Sequence, residues 1–251
     1  MINIIRTEDK GCGNFFVIEN DLIGRNIAVN GLWEIHYIWV YNNLLKDTDI
    51  VLDAGANIGF HSINMARKAK HVLSFEPQSI IYNILTSNIL FNNLSHKVTQ
   101  YKLALGEKIG ILRMDPLNKF DELNGEHNFG GRGVTDEENG EEQVYVSTFD
   151  SFNQWVDVIK IDIQGSELSF FNGAINTLKR CEPWLMLENC KEGEKDQKVI
   201  DILRENNYEI YRLIAQGEYK EDCICINKNK SDHQRIKEYL ENDLKEIYKL
   251  V

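Results

Sequence analysis

The chain has 251 residues, a formal net charge of −11, 43% hydrophobic and 27% charged residues. That length supports one substantial core with additions, so a single unit over 1–251 is expected rather than two domains. The acidic balance argues against a phosphate backbone as partner, because nucleic-acid binders present a basic face. No apolar run approaches the roughly 20 residues that span a bilayer, and MINIIRTEDK is too polar for a signal peptide, so a soluble, cytoplasmic protein is expected.

In chain order, 15–18 and 25–30 read as short strands of a hairpin joined through NDLIG. Residues 33–46 then place Trp33, Tyr37, Val40, Tyr41, Leu44 and Leu45 at helical spacing, as in a helix packed on the core. Gly31 and Glu34, just ahead of it, are candidates for closing a ligand pocket.

The stretch IVLDAGANIGF (50–60) organises the chain. Ile50, Val51 and Leu52 have the character of a strand covered on both faces, Asp53 marks its carboxyl end, and Gly55 and Gly59 permit a tight turn into a helix. A dinucleotide fingerprint needs glycine at 55, 57 and 60, whereas the chain has Gly55, Asn57 and Phe60, which weakens a nicotinamide reading. An acid followed by GxNxG instead resembles the first motif of S-adenosylmethionine-dependent methyltransferases.

Residues 71–75 form the next strand, ending in Glu76 and Pro77. Glu76 lies 23 positions after Asp53, close to the spacing at which a βαβ unit sets an acid against ribose hydroxyls. A helix over 79–94 and a strand over 98–103 follow, bringing Ala104 and Leu105 to the strand end that faces an adenine. A strand is expected at 109–114, then an irregular insertion at 115–142. Its HNFGGRG segment is either a surface excursion or a lid.

After a strand at 144–149, VDVIKIDIQGSE supplies a buried strand with Lys160 and Asp162 on one face. That pair either neutralises itself or marks a functional site. A helix (168–180), a strand (183–187) ending in Glu188 and Asn189, a helix (196–206), and strands at 208–213 and 222–227 complete the pattern. Residues 231–251 read as an amphipathic helix with Ile236, Leu240, Leu244 and Ile247 on one face, packing on the core or on a second subunit. The five cysteines, Cys12, Cys181, Cys190, Cys223 and Cys225, include no CxxC pair, and reduced thiols account for them.

Taken together, DAGANIG, FEP, IKIDIQGSE, FFNGA and EPWLMLEN resemble the FkbM family of S-adenosylmethionine-dependent methyltransferases, over about 44–189. The resemblance implies an α/β class I (Rossmann-like) fold: a seven-stranded, mostly parallel sheet with helices on both faces. Residues 48–230 would be that core, 1–47 covering elements, and 231–251 the terminal helix. It implies S-adenosylmethionine as cofactor, held by Asp53, Gly55, Ala56, Asn57, Gly59, Glu76, Pro77, Ala104, Leu105 and Asp162. The implied reaction is usually O-methylation, often of a sugar or polyketide hydroxyl. Gln164 stands where the family commonly has Glu, which tells against any role there that needs an acid.

A protonated hydroxyl is a poor nucleophile, so a base or a metal must assist. Asp162 is the first candidate, either as the base or as a ligand of magnesium, manganese or calcium together with Glu188 and Asn189. Lys160 would tune Asp162 or contact substrate. Two other readings stay open: a methyltransferase-like binding module without catalysis, and a nucleotide-fold oxidoreductase.

Overall fold

The computed structural model describes residues 2–117, 127–188, 194–215 and 218–250. Strand β1 (Ile4–Arg6) pairs antiparallel with β2 (Phe16–Ile18). The hairpin partner of 16–18 thus lies upstream, and the strand expected at 25–30 is instead helix α1 (Leu22–Asn30). The reason is capping. Asp21 accepts a hydrogen bond from the Gly24 amide at 2.9 Å, and Gly31 closes the other end at φ 72°, a left-handed conformation suited to glycine. Gly31 therefore ends a helix and does not line the ligand cleft.

Helix α2 (Ile35–Leu44) leads to β3 (Ile50–Ala54), α3 (Phe60–Ala66), β4 (His71–Phe75), α4 (Ser79–Phe91) and β5 (Val98–Tyr101). A branch follows, made of β6 (Ala104–Leu105), β7 (Gly110–Met114), β8 (Val134–Thr135) and β9 (Gln143–Ser147). The chain then re-enters the main sheet as β10 (Val158–Ile161), α5 (Glu167–Cys181), β11 (Trp184–Leu187), α6 (Glu194–Glu205), β12 (Tyr208–Ala215) and β13 (Glu218–Asn227). The expected C-terminal helix is only α7 (His233–Glu238) plus a wide π turn (Tyr239–Asp243), after which β14 (Tyr248–Leu250) pairs with β12.

The main sheet is therefore eight-stranded, in the order β14-β12-β13-β11-β10-β3-β4-β5. From β5 to β11 neighbours run parallel, while β13, β12 and β14 are antiparallel. The branch forms a separate sheet, β6-β9-β7-β8.

Strand side chains alternate between faces, and the core divides accordingly. Val51, Val72, Val158 and Met186 pack with α2, α3 and α4 on one face. Leu52, Leu73, Ile159 and Leu185 pack with α5 and α6 on the other. With both faces covered, the carboxyl ends of β3, β4, β10 and β11 form the rim open to ligands.

Candidate active site

The turn after β3 is shaped by close approach. Gly55 sits at φ 80°, and a Cβ there would stand 1.7 Å from the Asp162 carbonyl oxygen, so no other residue fits without moving the backbone. The loop amides are used internally: those of Gly55 and Ala56 bond the Phe75 carbonyl at 3.0 and 2.9 Å. The Asn57 amide bonds Glu76 at 3.0 Å and that of Ile58 bonds the Asn57 side chain. Gly59, at φ 90°, starts α3 and packs against Leu85. The amides of 55–58 are thus not displayed to a phosphate; the turn offers shape.

Beside it lies a cleft of about 560 Å³, its open mouth included. Its lining contains the predicted Gly55, Asn57, Glu76, Pro77, Ala104, Leu105 and Asp162. Ala56 borders a neighbouring cavity, and Asp53 lies beneath the loop, fully buried. Asp53 Oδ2 accepts from the Ser62 hydroxyl at 2.5 Å, while Oδ1 has no hydrogen-bond partner and faces Lys160 Nζ at 3.8 Å.

Glu76 is buried and held by backbone: Oε2 accepts from Asn57 N and Oε1 from Gln78 N at 2.8 Å. Burial outweighs those bonds and lifts its carboxyl to about 7. Gln78, unanticipated from sequence, also donates to the Phe129 carbonyl at 2.9 Å and accepts from Arg132 at 3.2 Å. Through it the insertion roofs the cleft with Gly130, Arg132 and Val134. Asp21 fixes the same roof by accepting from the Phe129 amide at 3.0 Å. The HNFGGRG segment lies over the cleft; part of the insertion, 118–126, is outside the described residues.

At the other corner, Asp162 N bonds the Ala54 carbonyl and Glu188 N the Ile161 carbonyl, both at 3.0 Å. Lys160, only 2% exposed, is 3.4 Å from Asp162 Oδ2. Burial opposes its charge, but Asp162, Asp53, Glu34 and Glu188 surround it and raise its pKa. Gln164, at φ 49°, donates from one amide nitrogen to Asp162 Oδ1 at 2.7 Å and to Glu188 Oε2 at 3.0 Å. The two carboxyls separate in character. Burial and the neighbouring Asp162 push Glu188 strongly up, whereas for Asp162 burial is overcome by Lys160 and by hydrogen bonds from Glu188 and Gln164, which hold it low. At neutral pH the pair is an ionised Asp162 beside a protonated Glu188.

For a metal, the donor set fits poorly. The Gln164 amide nitrogen, a donor with no lone pair to offer, bridges the Asp162 carboxylate and the Glu188 carboxyl. Among the described residues no group of three His, Cys, Asp or Glu side chains could hold an ion, and Asn189 lies outside them.

The strand order and the acid-lined rim define a class I methyltransferase fold. A solved FkbM methyltransferase from Methylobacillus flagellatus KT shares it, with a TM-score of 0.52 and 21% identity over 72% of this chain and 44% of that one. Trm5 of Methanocaldococcus jannaschii in complex with adenosine does too, with a TM-score of 0.51 and 13% identity over 92% of this chain and 57% of that one. The FkbM methyltransferase domain profile matches residues 53–210, and the chain belongs to the FkbM family of S-adenosylmethionine-dependent methyltransferases. Methyltransferase sdnD of Sordaria araneosa is 25% identical over 178 residues, 58% of this chain and 66% of that protein. Family membership removes the oxidoreductase alternative. No helix among the described residues is long and apolar enough to cross a membrane.

Proposed function

We propose that the chain methylates a hydroxyl group, on a sugar, glycan or small molecule, with Asp162 as base and no metal ion. The observation that carries this reading is the charge arrangement at the rim. One buried ammonium, Lys160, is set among the carboxyls of Asp162, Asp53, Glu34 and Glu188, and Asp53 Oδ1 is left without a hydrogen-bond partner. With Glu188 neutral, negative charge exceeds positive there, which suits a cationic cofactor.

S-adenosylmethionine fits these residues: Glu76 would hold the ribose, Ala104 and Leu105 the adenine, and the Gly55–Asn57 turn the amino-acid half. When bound it supplies an electrophilic methyl on a sulfonium sulfur, which leaves as a neutral thioether. The protein orients the acceptor oxygen, keeps Asp162 ionised to receive the hydroxyl proton, and excludes water with the roof at 129–134. Lys160 and Gln164 fix the Asp162 carboxylate in place.

We read residues 1–251 as one unit, with the roof belonging to the insertion. The net charge of −11 supports a small or glycan acceptor over nucleic acid. Transfer of radiolabelled methyl from S-adenosylmethionine to a panel of hydroxyl compounds and glycans tests this. The expected result is alkali-stable ether product with the wild type, formed about 10²–10⁴-fold more slowly by Asp162→Asn and unaffected by chelators. S-adenosylhomocysteine binding without transfer to any acceptor would leave a binding module in its place.

A further inference from the structure

Glu167 is a buried acid that methyl transfer by Asp162 leaves unused. It begins α5 and is 4% exposed, and a carboxyl taken out of water needs partners. Its Oε1 accepts from the Gly165 amide at 3.1 Å, two residues back along the chain. Burial raises its carboxyl, hydrogen bonds from its own amide and those of Gly165 and Ile163 oppose the rise, and the charge of Asp162 adds to it. The residue at the helix cap, Ser166, makes no side-chain cap bond. Glu167 therefore reaches back into the loop that joins β10 to α5.

That loop turns through two consecutive left-handed residues, Gln164 at φ 49° and Gly165 at φ 88°. Glycine adopts that region freely, whereas a residue with a Cβ stays there only where its surroundings impose it. Just before the turn, the Asp162 carbonyl abuts Gly55. Above it, the roof lies so close that a Cβ at Gly133 would stand 2.8 Å from the Gln164 carbonyl oxygen. On the outer side a Cβ at Gly165 would meet nothing within 4 Å among the described residues. No packing closes the turn there, and the bond from the Gly165 amide to Glu167 is the tie.

What the turn presents is the Gln164 side chain, whose nitrogen donates to Asp162 Oδ1 at 2.7 Å and to Glu188 Oε2 at 3.0 Å. Returning Gln164 to a right-handed backbone would swing it off both acids. Asp162 is otherwise faced by Lys160 on its own strand, Glu188 after β11, His61 on α3 and Glu76 after β4. Glu34, which starts α2 from a left-handed φ of 46° and meets His61 at 2.9 Å, and Glu167 itself complete the set. Glu167 thus has two opposed ways to act. Its negative charge alone would make Asp162 easier to protonate, whereas a hold on the turn, through the Gln164 hydrogen bond, makes Asp162 harder to protonate.

We propose that Glu167 is the positioning residue of the base: it clasps the left-handed Gln164–Gly165 turn from its open side and so sets the Gln164 amide on Asp162 and Glu188. Its catalytic meaning rests on the reading of Asp162 as base, while the clasp is testable without any acceptor.

The test uses the full chain labelled isotopically at the aspartate side-chain carboxyls and titrated by NMR, with the Asp162 signal assigned by its loss in Asp162→Asn. Glu167→Met fills the same space with no acceptor and should raise the Asp162 midpoint by about one pH unit, the worth of one hydrogen bond to a charged group. Gln164→Leu should raise it as much, and the double variant no further than Gln164→Leu alone, because both remove the same contact. Glu167→Gln keeps an oxygen for the Gly165 amide and should restore most of what Glu167→Met loses. In the wild type, hydrogen exchange at the Gly165 amide should be at least about tenfold slower than at an open loop amide, a measurement that needs no variant to fold. The inference is overturned if Glu167→Met lowers the midpoint or leaves it in place, if the two substitutions add, or if the Gly165 amide exchanges freely. Glu167→Gln behaving like Glu167→Met would overturn it as well, since the acceptor oxygen would then be irrelevant. Methyl transfer by Asp162→Asn at the wild-type rate would instead end the reading beneath it, with these titrations unchanged.

Discussion

Glu76 and Asp162 stand on the same rim and are held in opposite ways. Both oxygens of Glu76 accept from backbone amides of its own neighbourhood, so its position is fixed by the fold and its charge is set by burial. Asp162 is held by side chains, Lys160, Gln164 and Glu188, so its charge is set by groups that a single substitution can remove. A backbone-held acid suits recognition, where placement matters most. A side-chain-held acid suits chemistry, where the affinity for a proton must be tuned.

The sharpest way to break this comparison is Asp162→Asn. Methyl transfer should fall about 10²–10⁴-fold, the usual worth of a positioned base, while S-adenosylhomocysteine affinity stays within about threefold by calorimetry. A loss of affinity with the rate preserved would reverse the two roles. Next in size is Lys160→Met, which leaves Asp53 buried beside no cation and should cost about 3–5 kcal/mol in urea unfolding.

Glu76→Gln probes the other corner and should act on affinity, weakening S-adenosylhomocysteine about tenfold or more while leaving turnover at saturation nearly intact. Glu76 also carries a pH signature. Its carboxyl titrates at about 7 in the folded protein against 4.5 unfolded. Between those values the folded state keeps a proton that the unfolded chain has released. Stability therefore falls by about 3 kcal/mol as pH rises from about 4.5 to 7 and is flat in this group's contribution outside that window. Urea midpoints at pH 5 and pH 8 should show this fall in the wild type and lose it in Glu76→Gln. The smallest effect is expected at the roof. Asp21→Ala removes the α1 cap and the acceptor for the Phe129 amide, costing about 1–2 kcal/mol, with faster amide exchange at 129–134 as the local readout.

How much of this could be read from the residue string depends on range. Strand β4 was legible to its ends, and β3, β10 and β11 in place, because strands covered on both faces are nearly uninterrupted apolar runs. The rim followed from them, since Asp53, Glu76, Asp162 and Glu188 each sit at a strand's carboxyl end. The 25–30 segment was misread because Ile27, Ala28 and Val29 form a short contiguous apolar run with strand character, and the informative signals were the Asp21 cap before it and Gly31 after it. At the C-terminus the four-residue spacing of Ile236, Leu240 and Leu244 is helical in appearance. Tyr248, however, pairs with Leu213 on an edge strand that would otherwise be open, and sheet pairing takes over there. The contacts of Gln78 with Arg132, and of Glu34 with His61, join residues 54 and 27 positions apart. No local pattern announces such meetings; the left-handed turn at Glu34 is visible only once the chain is folded.

Where Gln164 now ties two acids together through a single nitrogen, a glutamate codon differs from the glutamine codon by one nucleotide, and the change would bring a third carboxyl between Asp162 and Glu188. A single base change thus separates this corner from one with three carboxyl groups, a donor set of the kind that holds a divalent cation. Gln164→Glu should reveal that step directly, through a manganese-dependent rise in melting temperature absent from the parent protein.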